Sequence, residues 1–385
     1  MKKIAVLTGG GDCPGLNNAI KQIVVSAQGK YEVEGITEGW EGAIQLALHN
    51  NEKTRSIYTT PLNEETVRRI DREGGTILMS SRANPFKYPM IVEGKKAIVD
   101  VSQEVLRFLN NSYHAVGSIG GEDTQKVAGI LSGKGARVVA IPKTIDKDLC
   151  GTQFTLGFDT AVNNVTNVLN DLRSTAGSHG MTYFVQIMGR RAGHLTYHSG
   201  IASNVHFMTI PEIETDMDRL FSLIQEHKLH EKYPGYHRDG KRYTIVAVAE
   251  GTRLKGVGEI IEDKTLDPHG NPMLGGVARY MMQQYIKMTG DKNARELVLG
   301  HIPRSGPPSC QDRIRGKFAG VKALELISRD EFGRMVSLGT DGTGDVPLID
   351  VVDKIRVLDA QVCFDLDHYR PHLNQKFYHE REISK

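Results

Sequence analysis

Residues 115–131 read AVGSIGGEDTQKVAGIL. Small and apolar residues run to Ile119, a pair of glycines follows, and Val127, Ile130 and Leu131 then recur at helical spacing. That is strand, glycine turn, helix, the repeating unit of a parallel α/β sheet. Glycine pairs at a strand end leave room for a phosphate, which suits the free amides and dipole of a helix start. Here the turn also carries two carboxylates, Glu122 and Asp123, where a polyanion would sit.

The same unit recurs in both directions. Ile4-Ala5-Val6-Leu7 lead into GGGDCPGLN (Gly9 to Asn17), with Leu16, Ala19, Ile20, Ile23, Val24 and Ala27 at helical spacing beyond. Val138 to Ile141 lead into PKTIDKD. A second set follows. Val162, Val165, Val168, Leu169 and Leu172 mark a helix, and strands at Phe184–Met188, Phe207–Ile210 and Thr244–Ala249 end in MGRRAG, PEIE and EGT. Each polar cluster lies at the carboxyl end of a strand, where open parallel sheets bind ligands. Residues 232–241, 254–276 and 303–309 read as loops, and GTDGTGDVP (Gly339 to Pro347) reads as a plain turn because no helical pattern follows it.

The chain has 385 residues, 39% hydrophobic and 24% charged, with a net charge of +2. That composition supports a sizeable core and argues against disorder. It offers no global field for nucleic acid or a membrane surface, and no apolar run has the length of a membrane span. Cys13, Cys150, Cys310 and Cys363 are widely spaced with no CxxC pair, so free thiols in a reducing cytoplasm are expected rather than zinc or a disulfide framework. The lysines before Ile4 resemble a leader, but the apolar stretch behind them is too short.

GGGDCPG is not a dinucleotide fingerprint, since Pro14 stands where the third glycine of GxGxxG belongs, and Lys134 is followed by Gly135 rather than the Ser or Thr of a Walker A loop. What remains is a structural turn or an anion site, and three glycines exceed what a turn needs. A carboxylate beside phosphates makes sense through Mg²⁺, which explains one of Glu122 and Asp123. PKTIDKD gathers Lys143, Thr144, Asp146 and Asp148; it fits a helix-capping loop or a centre with a base, a metal ligand and a phosphate clamp. Arg295, His301 and Arg304 border the short apolar strand at Val298-Leu299 and suggest a phosphate-monoester pocket.

Taken in order, LTGGGDCPGLN, SSR (Ser80 to Arg82), GGEDT, PKTIDKD, GFDTA (Gly157 to Ala161), MGRRAG, PEIE and LGHIPRSG resemble the phosphofructokinase family. Eight ordered matches exclude coincidence, whereas GGDG kinases of NAD and lipids share only the second motif type. The resemblance implies two Rossmann-like three-layer α/β/α domains with mainly parallel sheets and the active site in the cleft between them. Residues 1–157 with 304–355 would hold the phosphoryl donor and Mg²⁺, and residues 158–303 with 356–385 the sugar phosphate. It implies phosphoryl transfer to the 1-hydroxyl of fructose 6-phosphate. Asp146 would be the base and Thr144 would hold the transferring group or the sugar. Arg82 and Arg190 would stabilise the transferring phosphoryl, and Gly11 would pack on the donor. Glu122 and Asp148 would serve the metal. Met188, Gly189 and Glu212 would orient the sugar, and Arg295, His301 and Arg304 would bind its 6-phosphate. Arg295 would reach in from a neighbouring subunit of a homodimer or homotetramer.

The resemblance also answers why two carboxylates follow the glycines. Relatives using ATP have glycine at the position of Asp123, and relatives using pyrophosphate have aspartate there and lysine at the position of Lys143. A carboxylate at Asp123 would fill the space of the α-phosphate of ATP and repel it. Lys143 would supply a cation to the shorter donor and can pair with Asp123. The expected reaction is therefore reversible transfer from pyrophosphate. The alternatives are ATP as donor, a different sugar phosphate such as sedoheptulose 7-phosphate, and a non-catalytic regulatory subunit, which the retention of Glu122, Asp146 and Asp148 opposes. This chain departs from the family pattern at Met181, where an arginine for the neighbour's 6-phosphate is usual and Arg191 is a candidate substitute. It departs again at Glu122 in place of aspartate, and at Pro303 and Ser305.

Overall fold

The computed structural model describes residues 1–229, 243–266, 272–373 and 380–384. Its principal strands are β1 (Lys2–Gly9), β2 (Tyr31–Ile36), β3 (Thr59–Leu62), β4 (Ala115–Gly120), β5 (Val138–Pro142), β6 (Thr182–Ile187), β7 (Phe207–Thr209), β8 (Thr244–Ala249), β9 (Ala294–Val298), β10 (Arg334–Gly339), β11 (Gly342–Pro347), β12 (Lys354–Leu358) and β13 (Glu380–Ser384). The helices that place the site are α1 (Leu16–Ala27), α2 (Glu122–Gly133), α3 (Phe158–His179), α4 (His194–Ser203) and α5 (Cys310–Ser328).

A seven-stranded sheet runs in the order β11-β10-β5-β4-β1-β2-β3. Its five inner strands are parallel, and β3 and β11 close the edges antiparallel. The alternation along β1 shows why helices cover both faces. Ile4 and Val6 join one apolar cluster with Leu16, Ile20 and Ile23 of α1, while Ala5 and Leu7 join another with Trp40 and Phe108. Strands buried on both faces read as continuous apolar runs, the pattern seen at Ile4–Leu7. The second sheet has four parallel strands in the order β9-β6-β8-β7.

α3 carries the chain from the first sheet into the second, and buried Asp312 at the start of α5 caps it. Gly157 N and Thr160 N donate to the Asp312 carboxylate at 3.0 and 2.9 Å, and Thr160 Oγ1 donates at 2.5 Å. α5 then returns against α1 at backbone distance. A Cβ added at Gly316 would meet Asn18 Cβ at 2.7 Å, and one at Gly320 would meet the Ala19 carbonyl at 2.8 Å. Glycine costs about 1 kcal/mol in a helix, and here the close approach requires it.

Two expectations are corrected. Gly339–Pro347 is not a plain turn: Gly342–Pro347 pairs with Arg334–Gly339 as the edge hairpin of the large sheet. Much of 254–276 is paired, Arg253–Leu254 with Gly258–Glu259 and Ile261–Leu266 with Pro272–Leu274. These strands have little apolar period, so partner strands rather than local pattern define them. The loop expected at 232–241 lies outside the described residues. Among the described residues no helix is long and apolar enough to cross a membrane.

The second half buries neutral histidines. Ile245 N donates to His206 Nδ1 at 3.0 Å, and burial with nearby His227 pushes this imidazole down to about 3. Its folded pKa lies below the unfolded value near 6.5, so its contribution to stability is complete above that pH and is lost as pH falls toward 3. Urea unfolding at about pH 7.5 and about pH 5 should show a loss approaching 1.4 kcal/mol per pH unit below 6.5 from His206. His206→Gln should flatten the profile by that amount; an unchanged slope would overturn the assignment.

Candidate active site

Strand register builds the site. Gly9 pairs with Gly120 across β1 and β4, and Gly120 pairs with Pro142 across β4 and β5. Three parallel strands therefore end in one row, and the turns GGGDCPG, GED and KTIDKD leave it side by side. A fourth segment joins them. Gly10 N donates to the Ser81 carbonyl at 2.9 Å and Ser80 Oγ to the Gly10 carbonyl at 2.5 Å, which delivers Arg82 to the rim.

The glycine turn is lined by cations. Lys143 is buried and its ammonium donates to the Gly11 carbonyl. Arg304 Nη1 donates to the Asp12 carbonyl at 2.9 Å, and its guanidinium lies where a Cβ at Gly11 would meet it at 2.7 Å. Gly11 is therefore needed for this approach. Burial and the charge of Arg304 push Lys143 down to about 8. Burial pushes the neighbouring Cys13 thiol up to about 12, so it is neutral at physiological pH.

The next turn holds the acids. Thr144 Oγ1 accepts from Asp146 N at 3.0 Å and donates to Asp148 Oδ1 at 3.2 Å. Burial raises the Asp146 carboxyl, against the opposing charges of Arg304, Lys143 and Arg190. Burial and the charge of Asp146 bring Asp148 to about 7. Glu122 and Asp123 occupy the first turn of α2, where the helix dipole favours them. Asp123 is exposed over the row of strand ends.

The second sheet faces this row with MGRRAG. Gly189, in a left-handed conformation at φ 143°, follows Met188 beyond β6, and Gly251 N donates to its carbonyl at 3.0 Å. Arg191 Nη1 stands 3.8 Å from Glu122 Oε2, bridging the two halves. That places Arg191 at the carboxyl end of β6, whereas Met181 precedes the amino end. Glu212, expected at the sugar, accepts Gly193 N at 2.8 Å and Leu358 N at 3.1 Å, so it anchors the loop after Arg190. Glu250, not among the residues expected at the site, sits within the fields of Asp146, Arg190 and Arg304, and burial raises its carboxyl. Its signal was the EGT at the carboxyl end of β8.

Arg295, His301 and Arg304 do not converge within one chain. Ala294 pairs with Thr182 and Val298 with Gln186, so Arg295 sits at the amino end of β9, bonded to the Lys292 and Ala294 carbonyls at 2.8 Å. His301 and Arg304 lie beyond the other end, where Asn164 Nδ2 holds their turn through the Ser305 carbonyl at 2.8 Å. His301 is exposed, and Arg304 lies over Gly11.

A family model described as phosphofructokinase matches residues 3–327. The chain belongs to the phosphofructokinase family. It is 39% identical over 338 residues to a pyrophosphate–fructose 6-phosphate 1-phosphotransferase of Dictyoglomus thermophilum, covering 87% of this chain and 89% of the relative. It is 37% identical over 369 residues to ATP-dependent 6-phosphofructokinase 2 of Clostridium perfringens, covering 94% of each. Its fold is similar to the pyrophosphate-dependent phosphofructokinase of Nitrosospira multiformis, with a TM-score of 0.75 at 16% identity over 96% of this chain and 89% of that one. Both named donors occur among relatives of similar identity, so donor choice must be read from the site of this phosphofructokinase.

Two titrations test the electrostatics. By carbon-13 NMR Lys143 should titrate near 8, and Arg304→Met should raise it because a lowering charge is removed. Asp146→Asn should move Asp148 down from about 7 for the corresponding reason. Absence of either shift would show that the groups do not sense each other.

Proposed function

We propose that this phosphofructokinase transfers a phosphoryl group reversibly from pyrophosphate to the 1-hydroxyl of fructose 6-phosphate, giving fructose 1,6-bisphosphate and phosphate. The observation that carries the reading is the half-buried Asp146 carboxylate set among Lys143, Arg304 and Arg190, beside the glycine turn at Gly11. A general base with a raised pKa is matched to taking a hydroxyl proton near neutrality. The sugar oxygen attacks the terminal phosphorus, its proton passes to Asp146, and the bridging P–O bond breaks to release phosphate. Thr144 orients the turn, while Arg82, Arg190 and Lys143 stabilise charge on the transferring group. Met188, Gly189 and Glu250 face the sugar, with Glu212 supporting that loop. His301, Arg304 and a neighbour's Arg295 receive the 6-phosphate.

The residues present fit Mg²⁺. The donor set is hard oxygen only, and Asp148 rises to about 7 through partial desolvation and the charge of Asp146 beside it, a strain a divalent cation would relieve. Among the described residues no cluster of three or more metal-ligating side chains forms, so Glu122 and Asp148 would hold Mg²⁺ together with phosphate oxygens. Bound there, the ion would neutralise charge on the donor phosphates.

Asp123 and Lys143 support pyrophosphate over ATP, since a carboxylate over the strand ends opposes a longer polyphosphate and a buried ammonium serves a short one. The position of Arg295, away from its own cleft, supports a homodimer or homotetramer with shared sites. Residues 1–157 with 304–355 would form the donor half and 158–303 with 356–385 the sugar half. The free cysteines fit a cytoplasmic setting.

Initial rates with fructose 6-phosphate and Mg²⁺, comparing pyrophosphate with ATP at equal concentration, test the donor. A large preference for pyrophosphate is expected, and a preference for ATP would overturn the reading. Asp123→Gly combined with Lys143→Gly should shift the donor ratio toward ATP, and an unmoved ratio would sink the steric argument. Asp146→Asn should lower kcat by about 10² to 10⁴ with little change in stability. An unchanged kcat would remove the proposed base.

A further inference from the structure

The turn that carries Thr144, Asp146 and Asp148 contains a backbone conformation its sequence does not favour. Lys147 has a φ of 56°. Left-handed backbone is unfavourable for an ordinary L-residue and is tolerated mainly by glycine, asparagine and aspartate. The residues on either side of Lys147 are tied to one hydroxyl, because Thr144 Oγ1 accepts from Asp146 N and donates to Asp148. A change of φ at Lys147 would break that arrangement and move both carboxylates.

A distant carboxylate opposes such a change. The Lys147 side chain is buried, its ammonium lies 5.5 Å from the centre of the Phe158 ring, and it donates to Glu380 Oε1 at 2.7 Å. Glu380 lies 233 residues further along the chain, at the start of β13. Its other oxygen is 3.2 Å from Arg356 Nε, and His194 Nδ1 lies 3.8 Å from the first. Arg356 grips the same turn. Its Nη2 donates to the Lys147 carbonyl at 3.1 Å, its Nη1 to the Thr152 carbonyl, and its backbone N to the Asp148 carbonyl at 2.8 Å. β13 pairs antiparallel with β12, and Glu382 accepts Gly151 N at 3.3 Å. The β12–β13 ribbon thus forms a buttress behind the turn.

We propose that Glu380, acting through Lys147, is a positioning residue that holds the Thr144–Asp148 turn in its reactive shape. The proposal rests on the reading of Asp146 as the base. One carboxylate here compensates two buried cations, Lys147 and Arg356. Without it the Lys147 ammonium has reason to leave for water, and its backbone to relax from the left-handed region. Asparagine at residue 147 would hold that region without an acidic partner.

Steady-state kinetics with fructose 6-phosphate, pyrophosphate and Mg²⁺, together with hydrogen exchange of residues 143–149, test this on the full chain. Glu380→Gln should lower kcat by about 10-fold or more, as displacement of a reacting group does, with both KM values within about twofold. It should also speed exchange in the turn. Adding Lys147→Asn to Glu380→Gln should recover most of the lost kcat and slow the exchange again. Thermal unfolding of each variant confirms that folded protein is compared. A Glu380→Gln enzyme with unaltered kcat, or a double variant as slow as that single one, would overturn the proposal. If the wild type turned over no donor, the functional reading would fail, and unaltered exchange in Glu380→Gln would separately refute the clamp.

Discussion

The register that ends β1, β4 and β5 in one row is the constraint on which the site depends. A slip by one residue would exchange the two faces of a strand, sending Ile4 and Val6 where Ala5 and Leu7 now pack. Because both faces are buried, the core enforces the register, and the register places Gly9, Gly120 and Pro142 abreast. Gly9 and Gly120 then leave room for Thr124 of α2, whose hydroxyl would lie 2.6 Å from a Cβ added at Gly9. A side chain at either glycine would push back the first turn of α2, and Glu122 and Asp123 with it. The chemistry at the strand ends is therefore a consequence of packing several residues below.

Within that row, burial drives each charged group toward neutrality. Lys143 falls to about 8, Asp148 rises to about 7, and Asp146 and Glu250 rise as well. Opposite charges set among one another limit these shifts, and the protein scaffold holds them in place before any substrate arrives. Fixed charge in a partly dry cleft is worth more than the same charge in water and needs no reorganisation during reaction. In the proposed reaction a phosphorylated sugar and a polyphosphate would bring anions to the ammonium and guanidinium groups and a hydroxyl to the carboxylate. The same burial that costs the isolated groups their ionisation makes them effective once the partners bind.

The strand–turn–helix units and their polar ends were legible because each is a local pattern: a few apolar residues, glycines, then helical period. Arg295, His301 and Arg304 show where proximity in sequence misleads. Five residues of extended β9 separate its ends by about 17 Å, so residues bordering one strand face opposite ends of the sheet. Glu250 passed unnoticed for the converse reason: the EGT at the carboxyl end of β8 does not say which strand end it will face, and the pairing of β8 with β6 brings it into the field of Arg190. The hairpin at Gly339–Pro347 lacks an apolar period and exists through its ladder to β10. Nothing in the sequence around Lys147 singles it out, because its partner Glu380 is supplied from the far end of the chain.

The placement of Arg295 and Met181 at the amino end of the second sheet has a consequence for how this chain works. Within a single chain the carboxyl-end cleft has His301 and Arg304, and Arg304 already lies over Gly11. A phosphate monoester held by one shared guanidinium and an exposed imidazole would be held weakly, since each charge-assisted bond contributes about 1.5 to 3 kcal/mol. Cations at the amino end of the sheet would strengthen that grip only if another copy brought that end to the cleft. In the proposed assembly, methionine at residue 181 would withdraw one of them and leave Arg295 to carry the contribution from across the interface. Sugar-phosphate affinity and subunit association would be linked in such an assembly, because a ligand stabilises whichever assembly completes its site.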